Sequence, residues 1–414
     1  MQFVVALPEA TSPAGYARLT QEICGVPLLT RTLATAQRAG AHQLLLIWPH
    51  SIPAAMAEAL LRAPQIKKPE EVAVIEVRNF DPNMRSSWSN LENQLEDRFV
   101  WLPWNWVTNA RALANRPESD DSPSSWEAPA RVSKAWLSKI AIVIAPNLHS
   151  QTVPVPEGIA VTSEATAAAA ERFLVARSGK VLDGIHTSFN RRLCRPAVRW
   201  LTHTPATPNQ VTFGGVVVSA VSAIAFARGG YWAYVVGALL FYLAGLFDEM
   251  DGMLARIKFA DSPMGTWLEG FADGLSYLLL FVGITIGLYR QHGTRELWLG
   301  LALLVGTALA LIVTNFQRKR ATTADRPNEY LGTFYKMLEN DRGNFISRQV
   351  RMVHAFQKRG VMIIYIPIFS VLNLIPLLFY LAILGSHLTW IIVLYYNQRF
   401  FKQAPTTLRK IQAS

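Results

Sequence analysis

Charged residues are scarce in this chain of 414 residues. They make up 17% of it, against about 25% in a typical globular domain. Hydrophobic residues make up 51% and the mean hydropathy is +0.19, which excludes an intrinsically disordered chain. Cysteine is also scarce, since Cys24 and Cys194 cannot build a disulfide scaffold and favour a reducing, cytosolic side. The start of the chain lacks the charged region and long apolar core of a secretory signal peptide, so we expect the amino terminus to stay in the cytosol.

The charge that is present is mainly basic, with a formal net charge of +11. From Asn209 onward the chain holds 19 Lys and Arg against 11 Asp and Glu, so its more apolar part is also basic. Nucleic-acid-binding proteins are basic but seldom this apolar, and we expect no nucleic-acid partner. The composition favours a multi-span membrane protein with a basic cytosolic rim.

Residues 1–180 predict a cytosolic α/β domain with a mostly parallel sheet. Short apolar runs predict strands at residues 3–7 and 43–48, and helical spacing predicts a helix over 27–38. Further strands are predicted at residues 71–76, 99–102 and 140–145. The polar stretch 111–133 is rich in Pro, Ser and Asp and predicts a surface insertion.

Residues 209–414 predict an all-α membrane domain of six spanning helices, because long uncharged runs follow one another from Val211. The last run is long enough for two spans, with a turn near 373–376. Basic residues gather on the side predicted to be cytosolic. Within the connecting segment 181–208, residues 190–200 predict a basic amphipathic helix on the membrane surface. We therefore expect an integral protein of the lipid bilayer, the inner membrane if bacterial, with both termini cytosolic.

Four acidic residues lie where the second and third predicted spans meet. Asp248 and Asp251 are three residues apart, and Glu269 and Asp273 are four apart, so each pair shares a helix face. Ser262, followed by proline, predicts the start of the third span. A short connection makes the two helices antiparallel neighbours, which predicts that the four carboxylates meet at the inner membrane boundary.

Two interpretations of these carboxylates are open. They could be solvated helix ends with Arg256 and Lys258 as partners. Alternatively, two carboxylates from each of two helices could hold a pair of cations, as in other helical bundles. Oxygen ligands without His or Cys favour Mg²⁺ or Mn²⁺, and such ions beside a membrane suggest phosphate chemistry.

The acidic pattern resembles the signature of the CDP-alcohol phosphotransferases, Asp-x2-Asp-Gly-x2-Ala-Arg-x8-Gly-x3-Asp-x3-Asp. In this chain it reads Asp248-x2-Asp251-Gly252-x2-Ala255-Arg256-x8-Gly265-x3-Glu269-x3-Asp273. The spacing is intact, and the departure is Glu269, which keeps the charge on a longer side chain. We interpret it as a subfamily variant.

The resemblance implies roles for these residues. The four carboxylates would hold two divalent cations across the pyrophosphate of a CDP-alcohol, and Asp273 would also accept the proton of the acceptor hydroxyl as CMP leaves. The nucleotide would be lined by Gly252, Ala255 and Arg256. Two residues earlier in the chain, Asn209 and Thr212, could contact the donor or could cap and pack a helix. The family also implies a homodimer formed through the membrane helices.

The substrates follow less directly from the resemblance. CDP-diacylglycerol is the expected donor, and the product is a phospholipid or polar lipid. The alternatives are inositol-phosphate transfer from CDP-inositol and a catalytically silent member. An acceptor that carries a phosphate would need cations, for which Arg359 and then Lys358 are candidates, although we favour an ordinary positive-inside anchor there.

The front domain resembles sugar-phosphate nucleotidyltransferases through residues 25–33, which include Arg31, and through Ala39 and Gly40. That family has a Gly-x-Gly-x-Arg loop followed by Pro-Lys after its first strand. Here residues 6–15 lack those glycines and the lysine, and the later metal-binding Asp is absent from residues 100–106. A working enzyme needs these groups, so we expect a degenerate, inactive domain. The membrane domain would then obtain its donor from another source.

Overall fold

The computed structural model describes residues 1–9, 17–114, 126–137, 157–179, 185–321 and 359–396. The chain divides into two compact units, which are described separately. The front unit comprises Met1–Leu182, Arg192–Thr207 and Gly252–Asp261. The helical unit comprises Asp183–Arg191, Pro208–Asp251 and Ser262–Ser414.

The front unit is built on a five-stranded sheet in the order β5-β4-β1-β6-β8. Its strands are β1 (Gln2–Ala6), β4 (Gln43–Pro49), β5 (Val72–Val77), β6 (Arg98–Trp101) and β8 (Ala130–Ser133). Strand β1 pairs in parallel with β4 and β6, β4 pairs in parallel with β5, and β8 runs antiparallel to β6. The predicted α/β class and the mostly parallel sheet are confirmed.

Two apolar cores cover the faces of this sheet. Phe3 and Val5 belong to one core and Val4 to the other, as the alternation of side chains along a strand requires. Buried on both faces, β1 is an unbroken apolar run, which is why it could be recognised in the sequence. The second core includes Trp88 and Trp101, whose rings meet edge to face.

The remaining front elements are short strands and helices around the sheet. They are β2 (Glu22–Ile23), β3 (Val26–Pro27), α1 (Leu28–Arg38), α2 (Ala54–Leu61), α3 (Arg85–Ser89), β7 (Trp106–Thr108), α4 (Ala110–Ala114), α5 (Lys134–Leu137), β9 (Gly158–Ala160) and α6 (Glu164–Arg177), with a 3-10 turn at Pro69–Glu71. Ser163 caps α6 by accepting a hydrogen bond from the N–H of Thr166.

The polar stretch predicted as a surface insertion contains a strand that sequence reasoning missed. Strand β8 lies within it and pairs with the sheet edge. Of its four residues only Val132 is buried, so it carries too little apolar alternation to be recognised. The strand predicted at residues 140–145 lies outside the described residues.

The long helices follow one another from residue 185. They are α7 (Ile185–Thr202), α8 (Pro208–Arg228), α9 (Tyr231–Lys258), α10 (Pro263–His292), α11 (Arg295–Ala321), α12 (Arg359–Val371) and α13 (Ile375–Tyr396). Helix α7 covers the predicted amphipathic segment: Cys194 and Val198 are buried, and Leu193 and Trp200 are exposed. The division between the two units falls within α9, after Asp251.

Within the described part of the chain, five helices are long and apolar enough to cross a membrane, where the sequence predicted six. These are α8, α9, α10, α11 and α13. Helix α12 has 13 described residues, about 20 Å at 1.5 Å per residue, and a hydrocarbon core is about 30 Å thick. The predicted turn between α12 and α13 is present, since Asn373 has a φ of 54°.

Helices α8 and α10 approach each other closely through small residues. A side chain at Gly283 or Gly287 of α10 would collide with the backbone of α8 at Ala223 or Phe226. Ser219 of α8 also donates a hydrogen bond to Ser276 of α10, with 3.0 Å between the hydroxyl oxygens. Small residues and interhelical hydroxyl bonds are typical of helix packing in membranes.

Candidate functional site

The predicted acidic residues lie on two helices. Helix α9 continues unbroken through Asp248 and Asp251. Helix α10 begins after Ser262, whose hydroxyl accepts a hydrogen bond from the N–H of Gly265 at 2.9 Å, as predicted. Glu269 and Asp273 follow within the first three turns of α10. The predicted placement of the two pairs on successive helices is confirmed.

Three of the four predicted carboxylates meet at one cavity of the helical unit. Asp248, Asp251 and Asp273 line it, together with the hydroxyl side chains of Thr212 and Ser276. Its volume of about 10 Å³ suits a water molecule or an ion rather than a nucleotide. Glu269 is half-buried and is not among the lining residues.

Asp251 is held in place by Thr212. The residue is 3% exposed, and its Oδ2 accepts a hydrogen bond of 2.5 Å from the Thr212 hydroxyl. The same hydroxyl lies 3.1 Å from the carbonyl oxygen of Pro208 at the start of α8. Through this contact Thr212 orients a carboxylate, and its contact with the donor stays a prediction. Asn209 is exposed beside it on α8.

The donor chemistry of this cavity fits a hard divalent cation. Carboxylate and hydroxyl oxygens are the ligands that Mg²⁺ and Mn²⁺ prefer, and three acidic residues around one cavity repel each other unless a cation or proton is shared. Among the residues that the structure describes, no three His, Cys, Asp or Glu side chains converge closely enough to hold a metal ion.

Glu249, the acidic residue between the two motif aspartates, has a different role. It pairs with Arg191 of α7, with 3.0 Å between Nε and Oε2, and both side chains are largely shielded from solvent. Nearby, Tyr242 donates a hydrogen bond of 2.9 Å to Asn190. The sequence does not predict this ion pair, because Arg191 lies in the segment predicted for the membrane surface and no spacing connects residues 58 positions apart.

The basic residues after the motif aspartates hydrogen-bond backbone carbonyls in the front unit. Arg256 donates from Nε to the carbonyl of Ser178 at 2.5 Å, and Lys258 donates to the carbonyls of Thr204 and Ala206 at 2.7 and 3.2 Å. The Arg256 guanidinium also covers Gly252, where a side-chain carbon would lie 3.3 Å from Nη1. Gly252 therefore makes room for Arg256, and Ala255 is half-buried on the same helix.

The predicted acceptor residues are placed only in part. Arg359 is the first residue of α12, and Lys358 lies outside the described residues.

Arg31, which carried part of the front-domain resemblance, is a buried structural residue. It is 2% exposed and donates two hydrogen bonds from Nε and Nη2 to the carbonyl of Ile23. Burial lowers the pKa of its guanidinium to about 10. Burial likewise raises the pKa of the neighbouring Cys24 thiol to about 11, which makes that thiol inert near neutral pH.

Comparison with known proteins identifies the helical part of the chain. Residues 205–396 match the family model described as CDP-alcohol phosphatidyltransferase. Cholinephosphotransferase 1 of Gallus gallus is 29% identical over 107 residues, 24% of this chain and 31% of that protein. Archaetidylinositol phosphate synthase of Methanothermobacter thermautotrophicus is 31% identical over 77 residues, 19% of this chain and 38% of that protein.

A third relative is a bacterial protein. CDP-diacylglycerol--glycerol-3-phosphate 3-phosphatidyltransferase of Pseudomonas fluorescens is 28% identical over 104 residues, 25% of this chain and 51% of that protein. The chain thus spans about a third to a half of the length of the curated relatives it matches. All three relatives are named as enzymes that join phosphate-containing groups. Residues 205–396 of this protein thus carry a domain that matches the CDP-alcohol phosphatidyltransferase family model.

Proposed function

We propose that this protein is an integral membrane transferase that moves a substituted phosphate group from a CDP-alcohol to an acceptor hydroxyl and releases CMP. The observation that carries this proposal is the cavity lined by Asp248, Asp251 and Asp273 within the matched domain. Like charges gathered at one apolar site cost stability, and such sites are retained for function.

The residues around the cavity would hold two divalent cations, Mg²⁺ or Mn²⁺. Asp248, Asp251 and Asp273, which line the cavity, would supply carboxylate ligands, and the longer Glu269 would reach in from α10. The ions would neutralise the negative charge of the pyrophosphate and of the departing CMP. Thr212 would keep Asp251 in the orientation for binding, because its hydroxyl already fixes one carboxylate oxygen.

The reaction itself needs one base. Asp273 would accept the proton of the acceptor hydroxyl, whose oxygen forms a bond to the β-phosphorus of the donor. The bond between that phosphorus and the bridging oxygen breaks, and CMP leaves with the electron pair. Gly252, Ala255 and Arg256 would line the nucleotide, and Asn209, exposed at the start of α8, is a further candidate for a donor contact.

CDP-diacylglycerol is the proposed donor, with a phospholipid or polar lipid as product. One relative carries this donor in its name, whereas the others are named for choline phosphate and archaetidylinositol phosphate. Transfer from CDP-inositol and a catalytically silent protein are the alternatives. Arg359 and Lys358 would serve an acceptor that carries a phosphate.

The proposed membrane arrangement places both termini and the active site in the cytosol, at the inner membrane if the protein is bacterial. This orientation needs an even number of crossings, so α12 would complete a sixth span. A homodimer formed through the membrane helices is part of the proposal. The front domain would be a degenerate nucleotidyltransferase-like domain and would contribute no reaction of its own.

A screen of substrates tests the proposed function. Purified full-length protein with Mg²⁺ is offered several CDP-alcohol donors against a panel of hydroxyl acceptors, and products are identified by mass spectrometry. We expect CMP and one lipid product, both lost in Asp273→Asn. Glu296→Gln changes another buried acid of the helical unit, which accepts a hydrogen bond from Tyr380, and should retain activity. No CMP with any acceptor would contradict the proposal.

A further inference from the structure

The segment between the two acidic helices, residues 259–262, is here called the connector. Helix α9 ends at Lys258, and Phe259 follows with a φ of 57°, in the left-handed region. The N–H of Ala260 closes the helix end by donating to the carbonyl of Ala255 at 2.9 Å. Helices favour glycine at this position because a side chain is strained there. Phenylalanine at this position therefore needs compensating contacts for its ring.

Helix α1 and the adjoining apolar core supply those contacts. The Phe259 side chain is 8% exposed and belongs to one of the apolar cores of the front sheet. The guanidinium carbons of Arg31 and Arg38, both on α1, lie 5.1 and 4.6 Å from the centre of its ring, within the range of cation–π attraction. Because Arg31 is fixed by its two hydrogen bonds to Ile23, the ring has a rigid partner.

Asp261, also in the connector, binds Arg38 of α1 and Lys67. Its Oδ2 lies 2.6 Å from Nη2 of Arg38, and its backbone carbonyl accepts a hydrogen bond of 3.2 Å from Lys67. Arg38 thus contacts two residues of the connector at once. With Lys258 bound to the carbonyls of Thr204 and Ala206, the connector is held at both ends.

We propose that helix α1 of the front unit is a positioning element for donor binding. Arg31 and Arg38 hold Phe259, and Phe259 fixes the last turns of α9, where Gly252 and Arg256 would bind the nucleotide. This inference rests on the proposed function and gives the front unit a role that needs no reaction of its own. These positioning residues touch no reacting atom, so their loss should weaken donor binding more than it slows the chemical step.

The test uses the full-length protein in lipid nanodiscs with Mg²⁺. Phe259→Gly removes the ring and suits the left-handed backbone, so the helix end itself is not strained. We expect the Kd for CDP and the KM for the donor to rise about tenfold, with kcat changed less than about twofold. Phe259→Tyr, which keeps a ring, should restore wild-type binding.

A second pair of variants separates the role of Arg38 from a general loss of charge. Arg38→Met should raise the Kd for CDP in the same way. Arg62→Met is the matched control, since Arg62 forms an exposed pair with Glu58, and should leave the Kd unchanged. An unchanged Kd in Phe259→Gly, or a fall in kcat with KM unchanged, would overturn the proposal.

Hydrogen exchange distinguishes failure of this inference from failure of the proposed function. Amides of residues 252–261 should exchange at least about tenfold faster in Phe259→Gly than in the wild type, with no substrate present. Equal exchange in the two proteins would overturn the inference whether or not the enzyme turns over. Absence of CMP release by the wild type, with the exchange difference intact, would instead overturn the proposed function.

Discussion

The front unit and the helical unit bury acidic side chains in opposite surroundings. In the front unit, buried Glu171 accepts a hydrogen bond from the N–H of Cys24 and lies 3.7 and 3.3 Å from Arg199 and His203. In the helical unit, three aspartates share one cavity. The first arrangement surrounds a charge with donors and stabilises the fold, whereas the second brings like charges together at a cost in stability. Removal of one carboxylate charge should therefore have opposite consequences in the two units.

The largest expected effect is on catalysis. Asp251→Asn keeps the shape of the side chain and can still accept the hydrogen bond of Thr212, but it loses the charge. We expect kcat to fall about 1,000-fold, or about 4 kcal/mol of transition-state stabilisation, with the free energy of unfolding unchanged or higher. Steady-state CMP release and denaturant titration measure the two quantities. If Asp251→Asn were less stable than the wild type and kept normal activity, the proposed difference between the two units would be wrong.

The next effect concerns the stability of the front unit. Glu171→Ala leaves the N–H of Cys24 without its acceptor and Arg199 without its ion-pair partner, and we expect the free energy of unfolding to fall by about 3 kcal/mol. Because Cys24 is fully buried, its labelling by a thiol reagent across a urea titration reports unfolding of this unit. Glu171→Gln, which keeps an acceptor, should lose less. If Glu171→Ala were more stable than the wild type, removal of a buried carboxylate would have the same effect on stability in both units.

A smaller effect should appear at alkaline pH. Burial raises the pKa of Cys24 from 9.0 to about 11, so the folded state retains a proton that the unfolded state loses. This contribution to stability is complete below pH 9 and declines up to pH 11, by about 1.4 kcal/mol per pH unit. Unfolding of wild type and Cys24→Ala between pH 8 and 10 measures it. If the free energy of unfolding changed equally with pH in the two proteins, the decline could not be attributed to Cys24.

The smallest effect should come from a helix cap outside the buried charge clusters. Ser163 accepts a hydrogen bond from Thr166 at the start of α6, and Ser163→Ala should lower the free energy of unfolding of the front unit by about 1 kcal/mol. Ser163→Asp, which can cap equally well, should not. If Ser163→Ala lowered the free energy of unfolding as much as Glu171→Ala, the buried Glu171 would stabilise the front unit no more than an exposed helix cap does.

The elements that could be predicted from sequence are those with a local signal. Strand β1 is an apolar run. The two acidic pairs, Asp248 with Asp251 and Glu269 with Asp273, follow helical spacing. Ser262 followed by proline marks a helix start, and the structure confirms it. The cavity could be predicted only in part, because the half-buried Glu269 does not line it.

The contacts that sequence could not predict join distant parts of the chain. Arg191 meets Glu249 and Phe259 meets Arg31, and no period or motif links such pairs. A phenylalanine in the left-handed conformation has no sequence signal either, since glycine is the residue expected there. The strand β8 was missed because only Val132 faces a core.

The central claim is that the carboxylate cavity of the helical unit carries the chemistry and the front unit carries none. The most direct measurement is CMP release from CDP-diacylglycerol by the purified protein, with and without Mg²⁺, in wild type and Asp273→Asn, alongside pyrophosphate release from CTP. We predict Mg²⁺-dependent CMP release that is abolished in Asp273→Asn, and no pyrophosphate from CTP in either protein. CMP release that survives Asp273→Asn, or pyrophosphate released from CTP, would contradict the account.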